Sequence, residues 1–171
     1  MRSKNTNVNI REAHNEFLRE CQNGTLPLRS PDTIANYRSA FGLLLKWFSI
    51  TELEQFNGRV ARAFLQRGEE QNGWTASSIV SFRKNLSSFI KWCQWKKYLK
   101  KSDDPFKDIV WPKILPRSPE YYTKGEMERL MYIITTKAAR DLNAKRNHAM
   151  FAMLLATGLR RGELNKLKVT D

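Results

Sequence analysis

Residues 156–164 read ATGLRRGEL, and an apolar run predicted to be helical, residues 150–156, leads into them. Gly158 stands where that helix would stop, because glycine enters the left-handed conformation that follows a helix without a steric cost from Cβ. The apolar Leu159 should pack against the protein after this turn, and Arg160 follows on a tight turn beside apolar residues. An arginine held there is partly desolvated, and its planar fork suits a phosphate or a carboxylate. The alternative is a helix–turn–helix corner whose arginine is solvated.

The charge of the chain narrows the choice of partners. Its 171 residues carry a net charge of +13, and the sequence pI is 10.0, so polyanions are the expected ligands. Nucleic acid and an anionic membrane both qualify on charge alone. A hydrophobic share of 41% is enough for a folded core. The sequence has no apolar run of about eighteen residues, the length that a membrane span needs.

The cysteines and the N-terminus favour a cytoplasmic protein. Cys21 and Cys93 lie in helical patterns, form no CxxC pair and have no nearby histidine, so we expect buried thiols in a reducing compartment. The first residues, MRSKN, lack the apolar core of a signal peptide. His148 has no second ligand at metal-binding spacing, so we interpret it as a packing or capping residue and expect no metal.

The first half of the chain predicts four or five amphipathic helices and shows no strand pattern. Capping signals begin two long helices, at Ser30 with its following proline and at Thr75. A helix between them should end near Arg67, before a polar loop at 69–73, and the helix after Thr75 should span about 76–99. The predicted apolar faces are Ile10, Ala13, Phe17 and Cys21; Ile34, Tyr37, Phe41, Leu44, Leu45 and Phe48; Val60, Ala63 and Phe64; and Ile79, Phe82, Leu86, Phe89, Ile90 and Cys93.

The polar face of the helix after Thr75 is a candidate DNA surface, because small hydroxyls flanked by cations allow close approach to a sugar-phosphate backbone. A solvated polar face is the alternative. Trp92 and Trp95 end this helix among lysines, where they either stack on bases or close the bundle while the lysines meet phosphates. The candidate DNA-binding residues are Arg38, Ser77, Ser78, Ser81, Arg83, Lys84, Lys91, Lys96, Lys113 and Arg117.

Four of the chain's six prolines fall within residues 103–122, with basic residues among them. Proline at that density excludes helix and keeps the chain extended, so this segment is interpreted as a basic linker. After it, Thr123 begins a capping box, a turn is expected at 137–143, and an apolar helix leads to Gly158. The predicted organisation is a frayed N-terminus (1–9), a helical DNA-binding domain (10–102), the linker (103–122) and a second domain (123–171).

The motif ATGLRRGEL resembles the box of the tyrosine recombinases (phage integrase family) that carries their first catalytic arginine. By this resemblance Arg160 would grip the scissile phosphate and Glu163 would support the site. Residues 30–38 (SPDTIANYR) and 75–95 resemble the first and last long helices of the family's core-binding, SAM-like domain, and Val169-Thr170 resembles the start of the catalytic domain's small sheet. The resemblance implies an all-α chain: a SAM-like four- or five-helix bundle, a Pro-rich linker and the first helices of a truncated catalytic domain.

The resemblance also bears on the chemistry. Members of this family attack a DNA phosphate with a tyrosine hydroxyl, without a metal or nucleotide cofactor, and use two arginines, a hairpin lysine, a His/Trp pair and a late tyrosine. Only Arg160 has a counterpart here, because the lysine, the His-x-x-Arg box and the tyrosine would fall after Asp171. We therefore expect these 171 residues to bind double-stranded DNA without cleaving it. A piece of a longer integrase and a naturally truncated product remain open.

Two other functions remain open on sequence alone. The first is a non-enzymatic DNA-binding regulator or decoy, which would occupy recombination sites or pair with itself or with a full-length recombinase. The second is a basic helical module for RNA or an anionic membrane. Serine- and arginine-rich faces without an exposed apolar stripe argue against membrane insertion.

Overall fold

The computed structural model describes residues 7–114, 118, 120–138 and 141–168, and within these ranges the protein is all-α, which confirms the predicted fold class. The chain divides into two compact units, Met1–Leu115 and Pro116–Asp171. Short 3-10 turns lie at Leu53–Gln55 and Lys101–Asp103. The helices are α1 (Ile10–Asn23), α2 (Pro31–Trp47), α3 (Gly58–Asn72), α4 (Ala76–Trp95), α5 (Lys124–Ala138), α6 (Leu142–Thr157) and α7 (Arg161–Leu164).

Side-chain caps set where the helices of the first unit begin. The Asn9 side chain accepts hydrogen bonds from the backbone N–H groups of Arg11 and Glu12, at 2.9 and 3.2 Å. The hydroxyl of Ser30 accepts from the N–H of Thr33 at 3.2 Å, and Thr75 does the same at the start of α4. These bonds satisfy N–H groups that have no partner within the helix, and they confirm the predicted starts of α2 and α4.

The core of the first unit lies between α1, α2 and α4 and is rich in aromatic rings. Phe17 packs against Trp92 with ring centres 5.7 Å apart, and Phe41 meets the edge of Phe89 at 5.6 Å. His14, which the sequence analysis did not assign to the core, is stacked on Phe41 at 3.7 Å with the ring planes 6° apart. Every predicted apolar position of α1 is buried, and so are those of α4 except the half-buried Phe82.

A second aromatic cluster joins α2, α3 and α4. Trp74 stacks on Phe82 with ring centres 3.9 Å apart and planes within 3°, and Trp47 lies 5.6 Å from Trp74 on centre-to-centre distance. Gly68 of α3 faces the Trp74 ring so closely that a Cβ there would come within 2.1 Å of it. The absence of a side chain at Gly68 is therefore what lets Trp74 reach this position.

The predicted polar loop before Gly73 is wrong, because α3 continues through it. Side-chain hydrogen bonds from Gln66 to Glu70 and from Arg67 to Gln71, both 2.9 Å long, support the last turns of the helix. Gly73, with φ of 61°, then ends α3 in the left-handed conformation. Polar composition alone does not separate a loop from the solvated last turns of a helix.

The end of α4 also differs from the prediction, since the helix stops at Trp95 rather than near Leu99. Lys97 adopts the left-handed conformation, with φ of 64°. The backbone N–H of Tyr98 turns back to the carbonyl of Cys93 at 2.8 Å, which satisfies an otherwise free carbonyl at the helix end. A glycine at position 97 would have indicated the end of the helix in the sequence, whereas a lysine there does not.

Residues 104–111, which we call the 104–111 segment, pack on the first unit. The Asp104 carboxylate accepts a hydrogen bond from the backbone N–H of Phe106 at 2.9 Å, and both Pro105 and Phe106 are buried. The Phe106 ring meets the edge of Phe56 at 5.8 Å. The first part of the predicted linker is thus fixed by buried side chains, while Pro116 and Pro119 lie outside the described residues.

The second unit contains α5, α6 and α7. Thr123 and Glu126 form the predicted capping box: the carboxylate of Glu126 accepts from the Thr123 N–H at 2.8 Å, and the Thr123 hydroxyl accepts from the Glu126 N–H at 3.3 Å. The predicted turn at 137–143 is shorter than expected, because Asp141 caps α6 through the N–H of Ala144 at 2.8 Å. Leu164 is the buried hydrophobic side chain among this unit's described residues, and Val169-Thr170 lie outside them.

Candidate nucleic-acid interface

One face of α4 carries polar residues at helical spacing, a row that we call the α4 stripe. Separations of four and three residues alternate along it, so its members lie above one another on the helix. All are exposed except one half-exposed serine, and α4 contains no acidic residue. Hydroxyls between ammonium groups can contact successive phosphates of a DNA strand. The α4 stripe comprises Ser77, Ser81, Lys84, Ser88 and Lys91.

Ser78, another predicted DNA contact, lies beside the α4 stripe and takes part in the cap of α4. Its backbone N–H donates to the Thr75 hydroxyl at 3.3 Å, and the two hydroxyls are 3.1 Å apart. Ser88 within the stripe donates its hydroxyl hydrogen to the carbonyl of Lys84 at 3.0 Å, which leaves its lone pairs on the helix surface. The two serines therefore differ: one holds the helix start and the other lies along the stripe.

Arg38 is exposed on α2 and borders a hollow of about 450 Å³ between α1 and α2. Arg11 and Lys46 also line this hollow, and within the described ranges no carboxylate does. Burial, with the positive charge of Arg38 adding to it, lowers the pKa of His14 at its floor to about 4. The imidazole is therefore neutral at neutral pH, and the positive charge of the hollow comes from the three long side chains around it.

Arg83 is not where the sequence analysis placed it. It was assigned to the polar face of α4, but it is buried, with 6% of its surface exposed. Its guanidinium donates to the carbonyl of Ile109 at 2.7 Å and to that of Phe106 at 2.9 Å, and burial lowers its pKa below the ordinary value. The guanidinium thus uses hydrogen-bond donors inside the protein, so Arg83 is not included in the candidate DNA surface.

Lys96 is likewise engaged within the first unit. Its ammonium donates to Glu16 at 3.0 Å and pairs with Glu20, and these hydrogen bonds, the one to Glu20 first, raise the pKa of Lys96 above its ordinary value. The indole N–H of Trp92 donates to Glu20 at 2.8 Å, and the Tyr98 hydroxyl donates to Glu16 at 3.0 Å. This network ties α1 to the end of α4, so Lys96, a predicted DNA contact, is paired within the first unit and is not included in the candidate DNA surface.

The two tryptophans at the end of α4 have different surroundings. Trp92 is buried, with 4% of its surface exposed, and closes the bundle against α1, which is one of the two alternatives that the sequence left open. Trp95 is 62% exposed. The linker cation Lys113 is exposed as well, whereas Arg117 lies outside the described residues.

The corner after α6 has the predicted backbone but not the predicted burial. Gly158 ends α6 with φ of 67°, and Arg160 is the residue before α7. The carboxylate of Glu163 accepts from the backbone N–H of Arg160 at 2.8 Å, and its other oxygen is 3.4 Å from the guanidinium. The Arg160 side chain is 88% exposed, so the expected partial desolvation is wrong for the second unit by itself, and its fork faces solvent.

The described residues show neither a metal-binding cluster nor a membrane-spanning helix. Within the described part of the chain, no group of three or more His, Cys, Asp or Glu side chains could hold a metal ion. None of the described helices has the combination of length and apolarity that crossing a bilayer requires. Cys21 and Cys93 are both buried and free, and burial raises the pKa of each thiol.

Comparison with known proteins finds similarity to tyrosine recombinases. The chain is similar to tyrosine recombinase XerD of Pasteurella multocida (strain Pm70), with 29% identity over 143 residues, which is 83% of this chain and 46% of the relative. It is 28% identical over 144 residues to tyrosine recombinase XerC of Anoxybacillus flavithermus (strain DSM 21510 / WK1), covering 81% of this chain and 45% of that protein. Tyrosine recombinase XerC of Bacillus licheniformis is 33% identical over 113 residues, which is 64% of this chain and 34% of that protein.

These relatives are longer proteins. The chain spans a little under half the length of the curated relatives that it matches over more than four fifths of its own sequence. No protein-family model matches the chain, and no solved structure matches it significantly.

Proposed function

Because the chain belongs to the tyrosine recombinase family, we propose that its residues bind double-stranded DNA as part of a site-specific recombination or integration protein. The observation that carries this proposal is the α4 stripe, in which three serines and two lysines, all exposed except the half-exposed Ser88, line one side of a helix that has no acidic residue. The net charge of +13 supplies the long-range attraction toward a polyanion. The cytoplasm is the proposed location, since both thiols are free and buried.

Arg160 is the proposed contact to a reacting phosphate. Its side chain is 88% exposed. The corner that carries it is held by Gly158, which ends α6, and by the Glu163 carboxylate, which accepts the Arg160 N–H. Two N–H groups of one guanidinium can bind two oxygens of one phosphate, which is the charge stabilisation that phosphoryl transfer needs. The 171 residues supply this one counterpart of the family's catalytic set, so we propose that they form no covalent link to DNA by themselves.

The test is duplex binding measured over a range of salt concentrations. Each phosphate contact contributes about −0.9 to the slope of log K against log salt. Lys84→Ala combined with Lys91→Ala should make that slope shallower by about 0.9 for each lysine removed. The control is Lys100→Ala with Lys101→Ala, which removes the same charge from exposed residues outside the α4 stripe. Equal slopes for the two double variants would contradict the assignment of the stripe.

Covalent chemistry is tested in the same samples. A DNA strand carrying a nicked scissile site would be incubated with the chain, denatured and run on a gel beside a full-length tyrosine recombinase as a positive control. We expect no protein–DNA adduct from the 171-residue chain. An adduct on one of its five tyrosines would overturn the proposal that catalysis needs groups that these residues lack.

A further inference from the structure

A hollow of about 410 Å³ opens beside the C-terminal end of the α4 stripe. Its inner wall is made of buried side chains, Phe17, Cys21, Tyr37 and Trp92, and its rim carries exposed ones that include Arg29, Lys91 and Trp95. Pockets that bind small ligands have volumes of about 300–1,000 Å³ and combine apolar walls with a few polar groups. The size and the composition both suit a single ring system with an attached charged group.

The rim of this hollow continues the α4 stripe. Ser88 and Lys91 belong to both, and Trp95 follows Lys91 by four residues, which places it on the same helix face. Trp95 is 62% exposed although it is the largest apolar side chain on that face. A DNA strand that follows the α4 stripe would therefore pass over the mouth of the hollow.

The charges around the hollow favour an anion. Arg29 and Lys91 are exposed on its rim, and among the residues that the structure describes no aspartate or glutamate lines it. The backbone N–H of Arg29 is fixed by a 3.2 Å hydrogen bond to the carbonyl of Cys21, which holds the α1–α2 connection against the hollow. Lys96 is near the Trp95 ring at 5.6 Å, but its ammonium is paired with Glu16 and Glu20 and does not line the hollow.

We propose that this hollow binds one unstacked nucleotide of the DNA that the α4 stripe contacts, with the base against Trp95 and its phosphate between Arg29 and Lys91. This inference rests on the proposed DNA-binding function and adds a preference for DNA with a displaced base. Aromatic side chains stack on any base, because every base presents a π-face, while cations beside them hold the phosphate. Moving a base out of the DNA stack costs the least free energy where that base is already unpaired.

The experiment compares a fully paired duplex with duplexes that carry one unpaired thymidine at successive positions. Binding of the full 171-residue chain is followed by fluorescence anisotropy. We expect the unpaired nucleotide to raise affinity about five- to tenfold at one position, which is at the low end of what base–aromatic stacking contributes. Trp95→Ala should abolish this preference while affinity for the paired duplex stays within about twofold, and Trp95→Phe should retain most of it.

Leu28→Ala is the matched control, since Leu28 is 73% exposed near the hollow but does not line it. It should leave the preference intact, and thermal unfolding should show that all variants are folded. If the paired duplex binds and no unpaired nucleotide is favoured, or if the preference survives in Trp95→Ala, the hollow is not a nucleotide site and the proposed function stands. If no duplex binds, both proposals are overturned.

Discussion

The guanidinium carbon of Arg83 lies 3.8 Å from the centre of the Trp111 ring. The same guanidinium donates to the carbonyls of Phe106 and Ile109, so one side chain of α4 engages three residues of the 104–111 segment. A planar guanidinium can stack on an aromatic face while its edges donate hydrogen bonds, which an ammonium cannot do. Arg83 therefore holds the 104–111 segment on α4, in addition to the burial of Pro105 and Phe106.

We expect Arg83→Lys to loosen the 104–111 segment. Lysine keeps the positive charge but loses the stacked plane and at least one of the two hydrogen bonds. Hydrogen bonds to charged groups contribute about 1.5–3 kcal/mol, so the free energy of unfolding of the first unit should fall by about that amount. Urea unfolding measures the loss, and limited proteolysis should show faster cleavage within residues 104–111.

Lys84→Arg is the control for this substitution. Lys84 is the exposed neighbour of Arg83, and this change is the reverse exchange of the same two residue types. It should change neither the unfolding free energy nor the cleavage rate by more than its experimental error. If Arg83→Lys matched this control, the two backbone contacts of Arg83 would have no role in holding the segment.

The position of Arg83 shows what the sequence could and could not predict. Arg83 lies four residues after Ile79 and three before Leu86, both buried, so helical spacing alone places it on the apolar face. His14 has the same relation to Ile10 and Phe17. The spacing signal was present, but residue type suggested a solvent-facing position.

The partners of these polar residues explain the rest of the difference. The carbonyls that bind Arg83 and the carboxylates that bind Lys96 come from distant segments, and no local pattern of spacing reports such contacts. Caps and apolar faces were predictable because each depends on residues three or four positions apart. The sequence left a desolvated and a solvated Arg160 as alternatives and could not decide between them, because the outcome depends on what packs against that corner; in the second unit by itself the side chain is solvated.

Gly68→Ala should destabilise the first unit even though alanine favours helix. The new Cβ would come within 2.1 Å of the Trp74 ring, which is itself stacked on Phe82, so the aromatic cluster must shift. Overpacking of this kind costs about 1–3 kcal/mol. Gly42→Ala is the matched control on α2, where a Cβ meets nothing within 4 Å and a gain of about 0.8–1 kcal/mol is expected. In urea unfolding the midpoint should fall for Gly68→Ala and rise for Gly42→Ala. A higher midpoint for Gly68→Ala would contradict the packing argument.

Acid should destabilise the first unit through His14. Burial lowers the pKa of His14 from 6.5 to about 4, so the folded protein keeps the imidazole neutral while the unfolded chain protonates it. Stability therefore falls as the pH drops from about 6.5 to about 4, by up to roughly 3 kcal/mol, and this group adds no further loss below that range. His14→Phe keeps an aromatic ring on Phe41 and should lose less stability across this window in urea unfolding.

The carboxyl of Glu20 makes a separate contribution that both proteins share. Burial alone would raise the pKa of Glu20, but hydrogen bonds from Lys96 and Trp92 hold that pKa below its ordinary 4.5. The stability that Glu20 contributes to the fold is therefore lost only as the pH falls below that value. The difference between wild type and His14→Phe thus isolates the imidazole. Identical stability losses for the two proteins between about pH 6.5 and pH 4 would show that His14 does not titrate as its burial indicates.

Arg160 should contribute to DNA affinity without contributing to stability. Its side chain is 88% exposed, and the guanidinium is 3.4 Å from the Glu163 carboxylate, a long contact at the surface that adds little. Arg160→Ala should leave thermal unfolding unchanged, weaken duplex binding and make the salt slope shallower by about 0.9, as expected for one lost phosphate contact. Arg161→Ala removes the same charge from the next residue and serves as the control.

Glu163 distinguishes a positioned arginine from general surface charge. One oxygen of Glu163 accepts the Arg160 N–H at 2.8 Å, and Glu163→Gln keeps an oxygen acceptor there while Glu163→Ala removes it. If the corner positions Arg160 for a phosphate, Glu163→Gln should bind duplex at least as tightly as wild type, and Glu163→Ala should bind more weakly despite the same change in net charge. Anisotropy titrations compare the two, and equal affinities would mean that the carboxylate acts through charge alone.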